Sequence, residues 1–382
     1  MPRFNPVFES LPTYPQQELE KRKAAVLSEG KTLFDYGIGD PIEPVPEFIR
    51  TELCSAVKPH CGYPKVSGTH EVRSAIAGYL LRRYSLQLDS DTQIIPTSGA
   101  KEAVFHAPLL LIDAHAEDKT VLFPDPGYPA FHRGALFAGG ESHCVPLTGD
   151  YIFRPWTLSP TILKQTRLLW LNSPHNPSGA VMSIDDLEKT YALCQEYDIV
   201  CFSDETYADI YDDEPPPSIL QCGFTNVIAI HSLSKRSGMT GYRSGFMAGD
   251  PKLIERYKRL RANPGLVPQT FVNAAACAAW SDDAHVEARR VLFRDKKRLF
   301  LAFFDEVGLE VIGREASLYL WVKAPEGKSD TQWALELLEH GIVVTPGSLF
   351  SIEHRQSQYV RLAMVPDIET IKTTIGLWKE MF

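Results

Sequence analysis

The chain has 382 residues, 44% hydrophobic and 23% charged, with a formal net charge of −9. That length points to two domains rather than one core, and the composition is that of a soluble globular protein. The acidic balance excludes nucleic acid as the main partner, since a basic surface is missing, but a small anionic ligand needs only a few local cations. In chain order, residues 16–29 read as a helix stopped by Gly30. A strand-like piece, Leu33–Tyr36, breaks at Gly37-Ile-Gly-Asp-Pro41, and the proline-rich stretch 41–46 reads as a connection between domains. From 47 to 280, short apolar runs alternate with helical patterns: Thr120–Phe123, Leu168–Leu171, Ile199–Phe202 and Val227–Ile230. Each is nearly continuous in apolar residues and followed by turn formers, as a buried parallel strand is. Such alternation predicts an α/β fold with a mostly parallel sheet between helices. Residues 281–300 read as a long charged helix, and Tyr319–Val322, Ile342–Thr345 and Tyr359–Met364 as strands of a smaller α+β domain. An amphipathic helix closes the chain, apolar at Ile368, Ile371, Ile375, Trp378 and Phe382. The expected division is an N-terminal segment 1–46 that joins the small domain, a large domain 47–280 and a small C-terminal domain 281–382.

The seven cysteines are scattered, with no C-x-x-C pair and no zinc-like spacing. Such a set suits a reducing cytosol. The segment Met1–Val7 lacks the apolar stretch of a signal peptide, and no apolar run reaches membrane-spanning length. A cytoplasmic location with no membrane partner is the expectation.

The polar motifs fall just after the apolar runs, where open α/β sheets bind ligands. Tyr128 follows Val121–Phe123, Asn172 follows Leu168–Leu171, Asp204 follows Ile199–Phe202, and Lys235 follows Val227–Ile230. A lysine held rigid and partly desolvated at a strand end has its pKa lowered toward nucleophilic use. Ser232, Ser234 and Arg243 beside it make a phosphate cradle. A lysine next to a phosphate site is what an aldehyde cofactor carrying a phosphate needs, namely pyridoxal 5'-phosphate joined to Lys235. In such a site Asp204 pairs with the ring nitrogen and keeps it protonated. Asn172 and Tyr207 donate to the ring oxygen, Tyr128 stacks on the ring face, and Lys235 becomes the general base once displaced. Thr97-Ser-Gly-Ala-Lys101 reads as a turn opening into a helix, whose backbone N–H groups at Gly99, Ala100 and Lys101 point at an anion. Arg361 lies inside a strand-like run, where a charge must be paired, and a ligand carboxylate would satisfy it.

Each motif alone has a plainer reading. Thr97-Ser-Gly is an ordinary helix start, Asp204 an N-cap, and Lys235-Arg236 a solvated basic pair. Their joint order carries the argument.

In that order the chain resembles a class I aminotransferase of pyridoxal-phosphate fold type I, over essentially its whole length from Gly39-Asp-Pro41 to Arg361. The matching positions are Tyr63, Ser98-Gly99-Ala100, Tyr128, Asn172, Asp204, Tyr207, Ser232-x-Ser234-Lys235 and Arg243. The resemblance implies a large domain with a mostly parallel sheet, and a smaller α+β domain built from both chain ends. It implies that Arg361 and Asn172 bind the substrate α-carboxylate with the backbone at Gly39. It further implies a homodimer in which Tyr63 reaches the cofactor phosphate of the partner subunit. One departure is Ala100, where many relatives carry a hydroxyl; Lys101 either compensates or is a solvated helix lysine. Within the family the likeness is to N-succinyldiaminopimelate and LL-diaminopimelate aminotransferases, through Gly39–Pro46, Tyr63–Gly68 and Ser234–Gly245.

The expected activity is transfer of an amino group between an amino acid and a 2-oxo acid such as 2-oxoglutarate, by ping-pong half-reactions. A carbon–sulfur β-lyase on the same scaffold is the alternative. A non-catalytic regulator that binds the cofactor is a third reading, disfavoured by the acidic charge.

Overall fold

The computed structural model describes residues 2–10, 16–353 and 357–381. Phe382, the last apolar position predicted for the closing helix, lies outside them. In chain order the strands are β1 (Phe34–Asp35), β2 (Ile94–Thr97), β3 (Thr120–Asp125), β4 (Glu141–Pro146), β5 (Thr166–Asn172), β6 (Val200–Asp204) and β7 (Val227–Ser232). They continue with β8 (Gly245–Gly249), β9 (Val311–Ile312), β10 (Tyr319–Lys323), β11 (Ile342–Val343), β12 (Thr345–Pro346) and β13 (Tyr359–Ala363).

The larger sheet has the order β2-β8-β7-β6-β5-β3-β4 among the described residues, parallel throughout except for β8. Its strands read as continuous apolar runs because successive side chains enter opposite cores. Leu169, Leu171, Cys201 and Ala229 join one cluster, while Leu168, Trp170, Phe202 and Ile230 join the other. Helices Glu47–Ala56, His70–Tyr84 and Thr270–Ser281 pack together. Their apolar residues Ile49, Ile76, Tyr79 and Trp280 join the first cluster. Helices Ala100–Leu111, Ala130–Phe137 and Pro251–Arg261 supply Val104, Phe131 and Tyr257 to the second. Strand β8 had no counterpart among the predicted runs, being short and glycine-flanked. The chain from β7 to β8 makes no crossover around the sheet, so β8 returns antiparallel, with Ser232 opposite Gly245.

A second, four-stranded antiparallel sheet has the order β12-β13-β10-β9, and β1 pairs in parallel with β11. The run Ile342–Thr345, expected as one strand, splits at Val344: its first half pairs with Phe34–Asp35 and Thr345 pairs with Arg361. A third core lies here, with Tyr36, Phe300, Phe304, Leu320, Trp333 and Trp378. The 24-residue helix Ala284–Val307 links the two bodies. At its start Asp283 pairs with Arg82 and Arg236 near the large sheet, and farther along Phe300 and Phe303 fill the third core. Among the described residues no helix is long and apolar enough to cross a membrane, and no cluster of side chains could hold a metal ion.

Candidate active site

The carboxyl ends of the parallel strands bring the chemistry together. Strands β5 and β6 end on Asn172 and Asp204, which are opposite each other, and Ser232 and Thr97 both face Gly245. A cavity of about 370 Å³ opens there, lined by Gly39, Ala100, Lys101, Tyr128, Asn172, Asn176, Asp204, Tyr207, Ser232, Ser234, Lys235, Arg243, Tyr319 and Arg361 among others. Ser98, Gly99 and Tyr63 are not part of its wall.

Lys235 sits in the one-turn helix Leu233–Arg236, whose start is capped by the Ser232 hydroxyl accepting from the Ser234 N–H at 3.1 Å. Its ammonium donates to the carbonyl of Gly39. Burial pushes its pKa down, against the pull of Tyr319 and Asp40. Asp204 is 6% exposed and accepts from the hydroxyl of Thr206 at 2.6 Å and its N–H at 3.2 Å. Burial pushes its carboxyl up, while the Thr206 donors and His231 pull it back. The Tyr207 hydroxyl lies 3.1 Å from that of Tyr319, and burial pushes the phenol well up, so it stays a neutral donor.

At one end of the cavity, helix Ala100–Leu111 starts after Gly99, whose φ is +80°. The positive φ is what favours glycine there; an added Cβ would stand 2.5 Å from Nη2 of Arg243, the tip of an exposed side chain that can swing aside. Arg243 donates to the carbonyls of Thr240 at 2.9 Å and Ser98 at 3.4 Å. The Ser98 N–H donates to the Glu102 carboxylate, so it is Ala100 and Lys101 that line the cavity from the first turn. A helix start, two hydroxyls and a guanidinium are the donor set for a phosphate. Asp204 and Lys235 supply the groups a pyridine ring and its aldehyde require, so the residues fit pyridoxal phosphate.

At the other end, Arg361 stands in β13 between β10 and β12, opposite Trp321 and Thr345. It is 6% exposed and lies between the rings of Tyr319 at 4.2 Å and Phe350 at 4.6 Å. Nη1 donates to Oδ1 of Asn176 at 2.8 Å and Nη2 to the carbonyl of Gly37 at 2.7 Å, while Nε is buried with no hydrogen-bond acceptor. A Cβ on Gly39 would meet the Tyr319 hydroxyl at 2.2 Å, so that position needs glycine for close packing.

The expectation for Asn172 needs correcting. Its Nδ2 donates to the carbonyls of Asp204 at 2.9 Å and Pro174 at 3.3 Å, and its Oδ1 accepts from the Asn176 N–H at 2.8 Å. Asn172 therefore shapes the loop, and the amide beside Arg361 belongs to Asn176. The signal was present in Asn176-Pro-Ser-Gly179, but the strand-end rule selected the earlier asparagine. Tyr319 was also missed as a site residue, having been read only as part of a strand. Tyr63 is fully exposed.

The aminotransferase class I and II family model matches residues 23–376. LL-diaminopimelate aminotransferase of Aquifex aeolicus is 32% identical over 377 residues, covering 96% of each chain. LL-diaminopimelate aminotransferase 2 of a Nostoc species is 33% identical over 355 residues, 90% of each. The crystal structure of an aminotransferase from Neisseria meningitidis superposes with a TM-score of 0.91 at 30% identity, covering 99% of this chain and all of the other. A match across nearly the whole chain, over a cavity whose groups fit the cofactor, makes this protein a member of the class I and II aminotransferases, which are pyridoxal-phosphate-dependent enzymes.

Proposed function

We propose that this aminotransferase moves an amino group from a diaminopimelate-type donor, such as an N-succinyl or LL form, to a 2-oxo acid such as 2-oxoglutarate, in ping-pong half-reactions. The observation that carries the reading is that an amine and a carboxylate receptor are strapped to one backbone segment. Lys235 donates to the carbonyl of Gly39, and Arg361 donates to that of Gly37. The fork of Arg361 suits the carboxylate of an amino acid whose amine would meet the cofactor at Lys235. Asn176 holds that fork in place. The donor class is supported by the names of the relatives from Aquifex aeolicus and Nostoc.

The cofactor supplies an electron sink when bound; Ser232, Ser234, Arg243 and the helix start after Gly99 would hold its phosphate, and Asp204 its ring nitrogen. Tyr207 would donate to the ring oxygen, with Tyr128 against the ring face. Once its amine is free, Lys235 would take the substrate Cα proton and hold it on Nζ; its depressed pKa keeps a neutral fraction available. The full exposure of Tyr63 is consistent with service to the partner subunit of a homodimer.

The test mixes the purified, cofactor-loaded enzyme with single amino acids and no 2-oxo acid. Conversion of one cofactor equivalent per site to its amine form, fastest with a diaminopimelate derivative, is the expected result. Continuous release of pyruvate and ammonia would instead make it an eliminating enzyme. Equal rates with alanine and aromatic donors would remove the donor assignment alone.

A further inference from the structure

The residue after Lys235 does not enter the cavity. The Arg236 side chain is 2% exposed and runs into the core. Nε donates to Oδ2 of Asp209 at 2.8 Å, and Nη1 to the carbonyl of Ala279 at 2.6 Å. Nη2 donates to the carbonyl of Asp282 at 3.2 Å and to Oδ1 of Asp283 at 2.8 Å. The guanidinium also lies 5.0 Å from the ring centres of both Tyr79 and Trp280. Such a set of contacts fixes a side chain in one geometry, which a lysine cannot reproduce.

Its partners lie on elements that matter to the site. Asp209 belongs to the run of turns after β6, five residues beyond Asp204 and two beyond Tyr207, where the Ala208 N–H donates to Glu205 and the Ile210 N–H to Tyr207. Asp209 is held further by Arg83, which donates to Oδ1 at 3.2 Å, and by the Tyr79 hydroxyl, which shares Oδ2 with Arg236 at 3.0 Å. Asp283 opens the long helix that leads to the second sheet.

We propose that Arg236 is a positioning residue that sets the Lys235 turn in register with the Asp204–Tyr207 segment. It thereby fixes where the lysine amine stands relative to the carboxylate that faces the cofactor ring. This rests on the reading of Lys235 as the cofactor lysine. A buried ion pair contributes little net stability against an apolar replacement, so the placement of Arg236 directly beside Lys235 is better explained by geometry than by stability. Without it the turn loosens and water reaches the lysine nitrogen, which favours the protonated form of that nitrogen in its link to the cofactor as well as in the free amine.

The test compares Arg236→Lys, Arg236→Met and Asp283→Asn with the wild type, all loaded with pyridoxal phosphate. In both Arg236 variants the visible band of the cofactor–lysine link is expected to titrate about one pH unit higher, a tenfold change in that equilibrium. Cofactor release is expected to quicken about tenfold, and kcat to fall about tenfold with KM for the amino acid nearly unchanged, because Arg361 is untouched. Asp283→Asn removes one contact at a half-exposed carboxylate and is expected to move the band less, in the same direction. A lowered melting temperature with wild-type titration and release would make Arg236 merely structural and overturn the proposal. Should neither Arg236 variant fold, an unmoved band in Asp283→Asn overturns it equally. Lys235→Ala separates the two readings: a band that survives that change defeats the assignment of the cofactor lysine itself.

Discussion

The two arginines that close the cavity are held in opposite ways. Arg243 is exposed, tied to two backbone carbonyls, and has a φ of +55°. Arg361 is buried, stacked between two rings and braced by an amide and a carbonyl. The first suits a resident group gripped by many contacts, of which one exposed cation is a modest part. The second suits a passing substrate, whose recognition must be ready before it arrives and whose charge gains most in a desolvated setting.

That contrast can be broken by exchanging each guanidinium for an ammonium. Arg361→Lys is expected to lower kcat/KM about 100-fold, or ~3 kcal/mol, with little dependence on ionic strength, in steady-state assays at two salt concentrations. Arg243→Lys is expected to weaken cofactor retention about tenfold, and salt should weaken retention in the wild type as well, because exposed charges are screened. If both variants respond alike to salt, the two ends do not differ as described. Gly99→Ala is expected to cost about 1 kcal/mol in denaturant unfolding, since it puts a Cβ on a residue at positive φ.

The smallest expected effect is one of pH, and it concerns the group between the two ends. Burial depresses the pKa of Lys235 in the folded protein, so between that value and the ordinary lysine value of 10.5 the unfolded chain binds more protons. This group therefore adds stability to the cofactor-free protein as pH rises through that window. Lys235→Met removes the contribution. Its stability margin over the wild type should be widest at neutral pH and close as pH approaches 10.5. A margin constant with pH would show that the amine is not desolvated.

Much of this architecture was legible because buried parallel strands write themselves as apolar runs. Thr120–Phe123, Leu168–Leu171 and Val227–Ile230 all lie within strands of the large sheet, and the polar residue after each run lies at the cavity. Strand β8 escaped notice because Gly245-Phe-Met-Ala-Gly249 is too short and too glycine-rich to carry a period. Asn176 escaped because two asparagines four residues apart share one loop, and only its folding decides which amide turns inward. The role of Tyr319 depends on Gly39, more than 250 residues away, leaving room for its hydroxyl, and no local pattern encodes that. The partners of Arg236 come from three separate segments, so a basic pair in the sequence gave no hint of its burial.

The strap at residues 37–39 has a consequence for selectivity. The Gly37 carbonyl occupies one nitrogen of the Arg361 fork and Asn176 another, so an incoming carboxylate would have to displace one of these acceptors or reach the buried Nε. A ligand held by its acid alone would meet that exchange unaided, whereas one also joined through its amine to the cofactor would not, and this sorting would precede any reading of the substrate side chain.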